Sequence, residues 1–176
     1  ARRAALLAPM NTEIARLRGL VENLMAMARA DARDLGILRA EVDLDDLVAD
    51  EVRRLRLTKS VEVIAAIEPV RVLGDQRRLD QALRNLIDNA VRHASTTVRL
   101  TLTSTATEAI IWVDDDGPGV PAADRDRIFD RFVRLDEARS RDQGGSGLGL
   151  AITRTTLRAH DGDASVVDSP DGWCRF

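Results

Sequence analysis

Two asparagines four residues apart, in the segment Asn85-Leu-Ile-Asp-Asn89, stand among apolar residues that recur at helical spacing. Both amides then lie on one face of a helix. Asparagine suits a helix interior poorly, because its amide competes for backbone hydrogen bonds. Amide oxygens are neutral, hard ligands for a magnesium ion that already bridges phosphate oxygens. The pair therefore predicts a phosphate and metal site, and a buried amide pair bonded to nearby backbone is the alternative.

An acidic, glycine-containing turn, Asp115-Asp-Gly-Pro-Gly119, follows a strand-like run. An ionised carboxylate only accepts hydrogen bonds, so Asp115 at the base of a pocket can receive the exocyclic amine of adenine. Gly117 and Gly119 allow the backbone to approach a base without a Cβ clash. A plain acidic turn is the alternative. A calcium loop is not favoured, because oxygen ligands do not recur at alternate positions.

A glycine-rich segment, Gly144-Gly-Ser-Gly-Leu-Gly-Leu150, runs directly into an apolar helical pattern. Backbone N–H groups at a helix N-terminus attract phosphate, and glycine permits its close approach. The segment lacks the lysine of a Walker loop, and it lacks the strand that precedes a dinucleotide fingerprint. The expected phosphate-binding residues are Gly145, Gly147, Leu148 and Gly149.

The polar loop from Arg134 to Ser146 precedes this glycine-rich segment. Arg134, Arg139 and Arg141 are candidates to pair with phosphate oxygens as the loop closes. A solvated basic loop is the alternative. Phe129 and Phe132 are expected to pack as core residues and to anchor one end of the loop.

Taken in order, these segments, together with Arg127-Ile-Phe-Asp-Arg-Phe132, resemble the histidine-kinase branch of the GHKL ATPase superfamily. The resemblance implies ATP and Mg²⁺ as cofactors, with Asn89 as the main metal ligand. It implies that Asn85 lines the same face, that both asparagines serve catalysis, and that Asp115 binds the adenine amine. It also assigns Arg92 and His93 to positions near the phosphates.

The implied reaction transfers the γ-phosphoryl group of ATP to a histidine, for relay to a response regulator. Only His93 and His160 are present, and neither fits the acceptor pattern, so the acceptor is expected outside this chain. Gyrase-like ATPases carry a glutamate where this chain has Asn85. A GHKL-type ATPase, an anti-sigma-like serine kinase and a non-catalytic dimerisation module remain the alternatives.

Three regions are expected along the chain. Residues 1–31 resemble part of the family's dimerisation and phosphotransfer hairpin, and their helical seam predicts a homodimer. An ordinary amphipathic helix is the alternative. Residues 32–43 are polar and read as a linker. Residues 44–176 are expected to form the catalytic ATP-binding domain.

The domain's hydrophobic periodicity alternates between helix and strand. Helices are expected from Leu44 to about Leu57, from Asp75 to about His93 and from Leu148 to Ala159, with a short helix between Pro121 and Phe132. Strands are expected over 61–67, 70–73, 97–105, 109–114, 164–167 and 173–176. The predicted fold class is α+β, a two-layer sandwich with helices on one face of a mostly antiparallel sheet. The resemblance implies the Bergerat-type ATP-binding fold.

Composition limits the binding partners and the cellular compartment that are expected for this chain. The formal net charge is −3 and aromatic residues make up 3% of the 176 residues, so nucleic-acid binding is not expected. No apolar run approaches the ~20 residues of a membrane helix. A single cysteine, Cys174, fits a reducing compartment. The resemblance implies the cytoplasmic portion of a membrane-anchored bacterial receptor, attached through parts absent from this chain.

Overall fold

A computed structural model describes residues 38–135 and 147–176 of the chain. The helix expected within residues 1–31 and the linker residues 32–37 lie outside the described residues, and so do Arg139, Arg141 and Gly145. The described strands are β1 (Ala40–Asp43), β2 (Glu62–Ile67), β3 (Arg71–Gly74), β4 (Thr97–Ser104), β5 (Ala109–Asp115), β6 (Val167–Asp168) and β7 (Cys174–Arg175). The helices are α1 (Leu44–Thr58), α2 (Gln76–His93) and α3 (Gly149–Ala159), with two short 3-10 helices, Ala122–Asp124 and Arg127–Phe129.

The main sheet has five strands in the order β2-β4-β5-β7-β6. Strands β2 and β4 are parallel, and the remaining neighbours are antiparallel. A parallel pair requires a crossover connection, and the segment containing α2 supplies it here. The predicted α+β class with a mostly antiparallel sheet is therefore confirmed.

A second, two-stranded sheet pairs β1 with β3. Its first strand, residues 40–43, lies in the region assigned to the linker, so that assignment is wrong for these residues. Val42 is buried opposite Val72, while Arg71 forms ion pairs with Glu41 and Asp43. The segment resembles a linker because it is polar. Its acidic residues pair with Arg71 of β3, a strand that is distant in sequence, and local sequence does not reveal this pairing.

The core lies between the sheet and the helices. Val98, Leu100 and Leu102 of β4 are completely buried, and β5 places Val113 opposite Leu100. Side chains alternate between the two faces of a strand, so these residues share the face that the helices cover. Helices α1 and α2 both contact β4, and α3 packs on α2. No described helix is both long enough and apolar enough to cross a membrane.

Helix α2 positions the two asparagines. Asp75 caps its N-terminus by accepting a hydrogen bond from the Arg78 N–H at 3.2 Å, which satisfies a backbone donor that the helix leaves free. The buried residues of α2 form one stripe: Leu79, Ala82, Leu83, Leu86, Ile87 and Ala90. Asn85 and Asn89 are partly buried at the edge of this stripe, where they face neither bulk solvent nor the centre of the core.

A buried carboxylate joins α1 to α2. The side chain of Glu51 is only 2% exposed; it accepts a hydrogen bond from Arg54 at 2.6 Å and pairs with Arg84 of α2 at 3.0 Å. Arg54 also reaches Asp88 of α2 at 2.7 Å. A buried charge is tolerated only when it is paired and hydrogen-bonded. This cluster therefore fixes how α2 lies against α1.

We predict that Glu51→Ala lowers the free energy of unfolding by about 2 kcal/mol, since it strips two arginines of their shared buried partner. Asp50→Ala is the matched control. Asp50 is the adjacent acidic residue of α1, and its pair with Arg53 is exposed. We expect the control to change the free energy by less than about 0.5 kcal/mol in urea unfolding. Equal losses in the two variants would contradict a role for the buried cluster.

Candidate nucleotide site

Asn85 connects α2 to the glycine-rich segment. Its amide nitrogen donates a hydrogen bond to the carbonyl oxygen of Gly149 at 3.2 Å. The alternative considered for the asparagine pair, an amide bonded to nearby backbone, thus applies to Asn85. An amide that donates through its nitrogen keeps its oxygen as an acceptor or metal ligand. Asn89 lies one turn further along the same face of α2.

Three consecutive aspartates at the end of β5 point into three environments. Asp114 faces the outer side of the sheet, where Arg175 binds both of its oxygens at 2.7 Å. Asp116 leaves the strand and accepts hydrogen bonds from the backbone N–H groups of residues 95–97. Asp115 faces the helical side, opposite Val98. Only Asp115 is therefore directed toward the helices that carry the other candidate residues.

Asp115 is 1% exposed. Its Oδ1 accepts a hydrogen bond from the Gly117 N–H at 3.0 Å. Its Oδ2 is buried and has no hydrogen-bond partner among the residues that the structure describes. Burial raises the pKa of Asp115 to about 6, against the opposing effects of the Gly117 N–H and of the neighbouring Cys174 thiol. A buried acceptor without a donor is costly, and an adenine amine is a donor that would satisfy it.

The acidic turn lies directly against the end of α2. A Cβ on Gly117 would collide with the carbonyl oxygen of His93 and would lie 2.6 Å from Asp115 Oδ1. Gly119 has a φ of 74° and open space around it. The two glycines thus meet different requirements: close approach at Gly117 and a left-handed backbone at Gly119.

Asp116 ties this turn to the start of β4. Partial burial opposes its ionisation, but hydrogen bonds from the Thr96 hydroxyl and from neighbouring N–H groups lower the pKa of Asp116 to about 2. Sequence reasoning did not single out this residue or Asp114. The signal available was the run of three aspartates, since strand alternation must send adjacent side chains to different sides.

The end of the Arg-rich loop meets the phenylalanine segment through backbone. The Phe132 N–H donates to the Gly147 carbonyl oxygen at 2.9 Å, and both residues have positive φ. Phe129 is buried, and its ring packs edge to face against the ring of Phe176, with 6.5 Å between the ring centroids. The expectation of core packing is therefore right for Phe129 and wrong for Phe132, whose side chain is exposed. Phe132 anchors the loop through its backbone.

The other predicted site residues are either available only through their backbone or exposed on the surface. Leu148 is buried in the core, so any contribution to phosphate binding comes from its backbone. Gly149 begins α3, and Arg92 and His93 are exposed in the last turn of α2. The structure places Asn85 beside Gly149 at the start of α3, and it places Gly117, which is hydrogen-bonded to Asp115, against His93 at the end of α2. It describes nothing of Arg139, Arg141 or Gly145.

Cys174 lies beside Asp115 on the neighbouring strand. It pairs with Asp115 across β5 and β7 and is buried. Burial, with the neighbouring charge of Asp115, raises the pKa of the Cys174 thiol to about 12. The thiol is therefore protonated at neutral pH and is a structural residue.

Comparison with known proteins gives a family and named relatives. The model of the "Histidine kinase-, DNA gyrase B-, and HSP90-like ATPase" family matches residues 74–176. A "Probable sensor histidine kinase TcrY" from Mycobacterium tuberculosis (strain ATCC 25618 / H37Rv) is 38% identical, with 94% of this chain and 35% of the relative covered. The "Sensor histidine kinase CpxA" from Escherichia coli (strain K12) is 33% identical, with 95% and 37% covered.

A solved structure agrees with them. The "Crystal structure of ShkA full-length in complex with AMPPNP" superposes with a TM-score of 0.76 at 30% identity, covering 91% of this chain and 34% of that one. The chain belongs to the family of histidine kinase-, DNA gyrase B- and HSP90-like ATPases, which confirms the resemblance read from the four segments. The chain spans little more than a third of the length of these relatives.

We predict a pH-dependent stability cost at Asp115. Its folded pKa of about 6 exceeds the usual 3.8, so the folded state binds the proton more tightly than the unfolded chain does. Stability without nucleotide should therefore fall as pH rises from about 4 to about 6 and then level off. Asp115→Asn should lack this step and be more stable at pH 7 by up to about 3 kcal/mol. Parallel pH profiles of unfolding for the two proteins would contradict the assignment.

Proposed function

We propose that residues 44–176 are the ATP-binding catalytic domain of a sensor histidine kinase, donating the γ-phosphoryl group of ATP to a histidine on another segment. The observation that carries this proposal is the buried Oδ2 of Asp115, which has no hydrogen-bond partner among the described residues and lies where the acidic turn meets α2. A ligand that carries a hydrogen-bond donor would relieve the cost of that oxygen while Asp115 stays ionised. Family membership supports an adenine nucleotide as that ligand.

The residues of the site fit such a nucleotide. Asp115 accepts the adenine amine, and Gly117 lets the backbone close on the base. Asn89, beside Asn85, would hold Mg²⁺, which neutralises charge on the phosphate oxygens when bound. The first turn of α3 presents backbone N–H groups to phosphate, and the positive charge of Arg92 lies at the end of α2. Catalysis then rests on positioning and electrostatics, as phosphoryl transfer requires.

The identity of residue 85 favours transfer to a protein over hydrolysis. A general base for water attack requires a group that takes up a proton, and an amide does not. The nitrogen of Asn85 is moreover engaged with Gly149. An enzyme of this family with Asn85 at this position is suited to hold ATP intact until an acceptor arrives.

Neither histidine of the sequence suits the role of acceptor. His160 accepts a hydrogen bond from the Asp75 N–H through Nε2 at 2.9 Å, and its Nδ1 lies 2.7 Å from the carbonyl oxygen of Thr156. Both ring nitrogens are thus engaged, and neither is free to attack phosphorus. His93 belongs to the nucleotide-binding end of α2. In this proposal the acceptor histidine lies on a separate phosphotransfer hairpin. The chain forms a homodimer through residues 1–31, and a response regulator receives the phosphoryl group next. Membrane attachment occurs through parts outside this chain.

We expect MgATP binding to depend on Asp115 and Asn89 in different ways. Asp115→Asn should weaken ATP and metal-free ADP alike, by about tenfold or more, because it removes a charge-assisted acceptor. Asn89→Ala should weaken MgATP but leave ADP in EDTA unchanged, since only the metal contact is lost. Gln76→Ala, which truncates an exposed amide in the first turn of α2, is the control and should bind normally. Calorimetric titration measures all four proteins, and equal affinities throughout would refute the site.

We also expect binding to become weaker as pH falls through about 6. Protonation of Asp115 turns its free oxygen from an acceptor into a donor that faces the adenine amine. Fluorescence competition between pH 5 and pH 8 would measure the change, with Asp115→Asn as the variant that lacks this titration. A wild-type affinity that is flat across this range would count against adenine contact at Asp115.

The transfer itself is tested by adding a separate phosphotransfer hairpin with [γ-³²P]ATP and Mg²⁺. The proposal expects acid-labile, base-stable label on the hairpin. Release of inorganic phosphate at the same rate without the hairpin would instead favour the ATPase alternative.

A further inference from the structure

A buried hydroxyl on α3 bridges the two helices of the proposed nucleotide site. Thr153 is 0% exposed. Its Oγ1 lies 3.0 Å from the carbonyl oxygen of Gly149, one turn back on α3, and 3.3 Å from the carbonyl oxygen of Ala82 on α2. A hydroxyl has one proton, so this donor is shared between two carbonyl oxygens on different helices.

The same Gly149 carbonyl oxygen also accepts a hydrogen bond across the helices, from the amide nitrogen of Asn85 at 3.2 Å. The two contacts act in a complementary way: Asn85 reaches from α2 to the first residue of α3, and Thr153 reaches from α3 back to α2. Together they set the separation between the asparagine face of α2 and the first turn of α3.

We propose that Thr153 is a positioning residue for the phosphate groups of the nucleotide. This inference rests on the proposed function, because it takes the first turn of α3 as the phosphate-binding element. Thr153 lies four residues inside the helix, is buried, and touches no phosphate itself. It acts by holding the Gly149 end of α3 against α2, so that N–H groups at the start of α3 and the Asn89 side chain address the same phosphates. Precise placement matters because small displacements weaken charge-assisted contacts.

Thr155 shows what a threonine without this role looks like. Its hydroxyl donates to the Ala151 carbonyl oxygen at 2.8 Å within α3 and makes the ordinary contact of a helical threonine. Thr155 is partly exposed, and its hydroxyl has no recorded contact to α2 among the described residues. Both threonines lie on α3, and only Thr153 has a hydrogen bond to the Ala82 carbonyl oxygen of α2. Thr155 is therefore a matched control for Thr153.

The experiment compares Thr153→Val, Thr153→Ser and Thr155→Val for binding of MgATP, MgADP and adenosine, with melting temperatures recorded for each. Thr153→Val should weaken MgATP and MgADP by about three- to tenfold, the effect of one side-chain hydrogen bond. Adenosine, which lacks phosphate, should change by less than about twofold. Thr153→Ser keeps the hydroxyl and should restore phosphate-dependent binding, and Thr155→Val should match wild type.

Two outcomes would overturn the proposal. Unchanged MgATP affinity in Thr153→Val would show that the bridge does not position the phosphates. Equal weakening of adenosine and MgATP would show a general structural role. If Thr153→Val does not fold, Thr153→Ala and Thr153→Ser carry the same comparison, because they differ only by the hydroxyl oxygen. If the wild type binds none of the three ligands, the proposed function itself is refuted.

Discussion

The register between β4 and β5 controls the whole site, because it decides which aspartate faces the helices. Asp115 stands opposite Val98, so it shares the covered face of the sheet with the completely buried residues of β4. Side-chain direction alternates along a strand, and a shift by one residue would exchange the positions of Asp114 and Asp115. The bidentate Arg175–Asp114 pair on the outer face and the Asp116 contacts to residues 95–97 both oppose such a shift. Two aspartates thus hold the third in place.

This arrangement sets stability against function at one residue. A carboxylate buried beside two other aspartates raises the free energy of the folded domain whenever it is ionised. The apolar face shared by β4 and β5 and the Glu51 cluster beneath α2 supply the surrounding stability. Proteins commonly tolerate such locally unfavourable groups at binding sites. The same reasoning favours Asp115, whose Oδ2 has no partner among the described residues, over the well-paired Asp114 and Asp116 as the residue of the candidate site.

Local pattern was sufficient for the elements that carry the chemistry. The apolar spacing of α2 predicted both the helix and the shared face of Asn85 and Asn89, and the fold class followed from the order of the elements. Long-range pairing was not predictable. Residues 40–43 form a strand only because β3 lies beside them, and β2 and β3 belong to different sheets although one turn separates them. Phe132 is another case: a phenylalanine in an amphipathic pattern indicates core, yet the positive φ that lets it meet Gly147 turns its ring outward.

The position of Cys174 gives this domain a practical property. The only thiol of the chain is buried beside Asp115 and stays protonated at neutral pH. Thiol-directed reagents act on thiolate, so the folded domain is silent toward maleimides without removal of any native residue. A cysteine introduced on an exposed helix position is then the single labelling site. A spectroscopic probe at that site can report changes in its local surroundings while the residues of the candidate nucleotide site keep their natural identities.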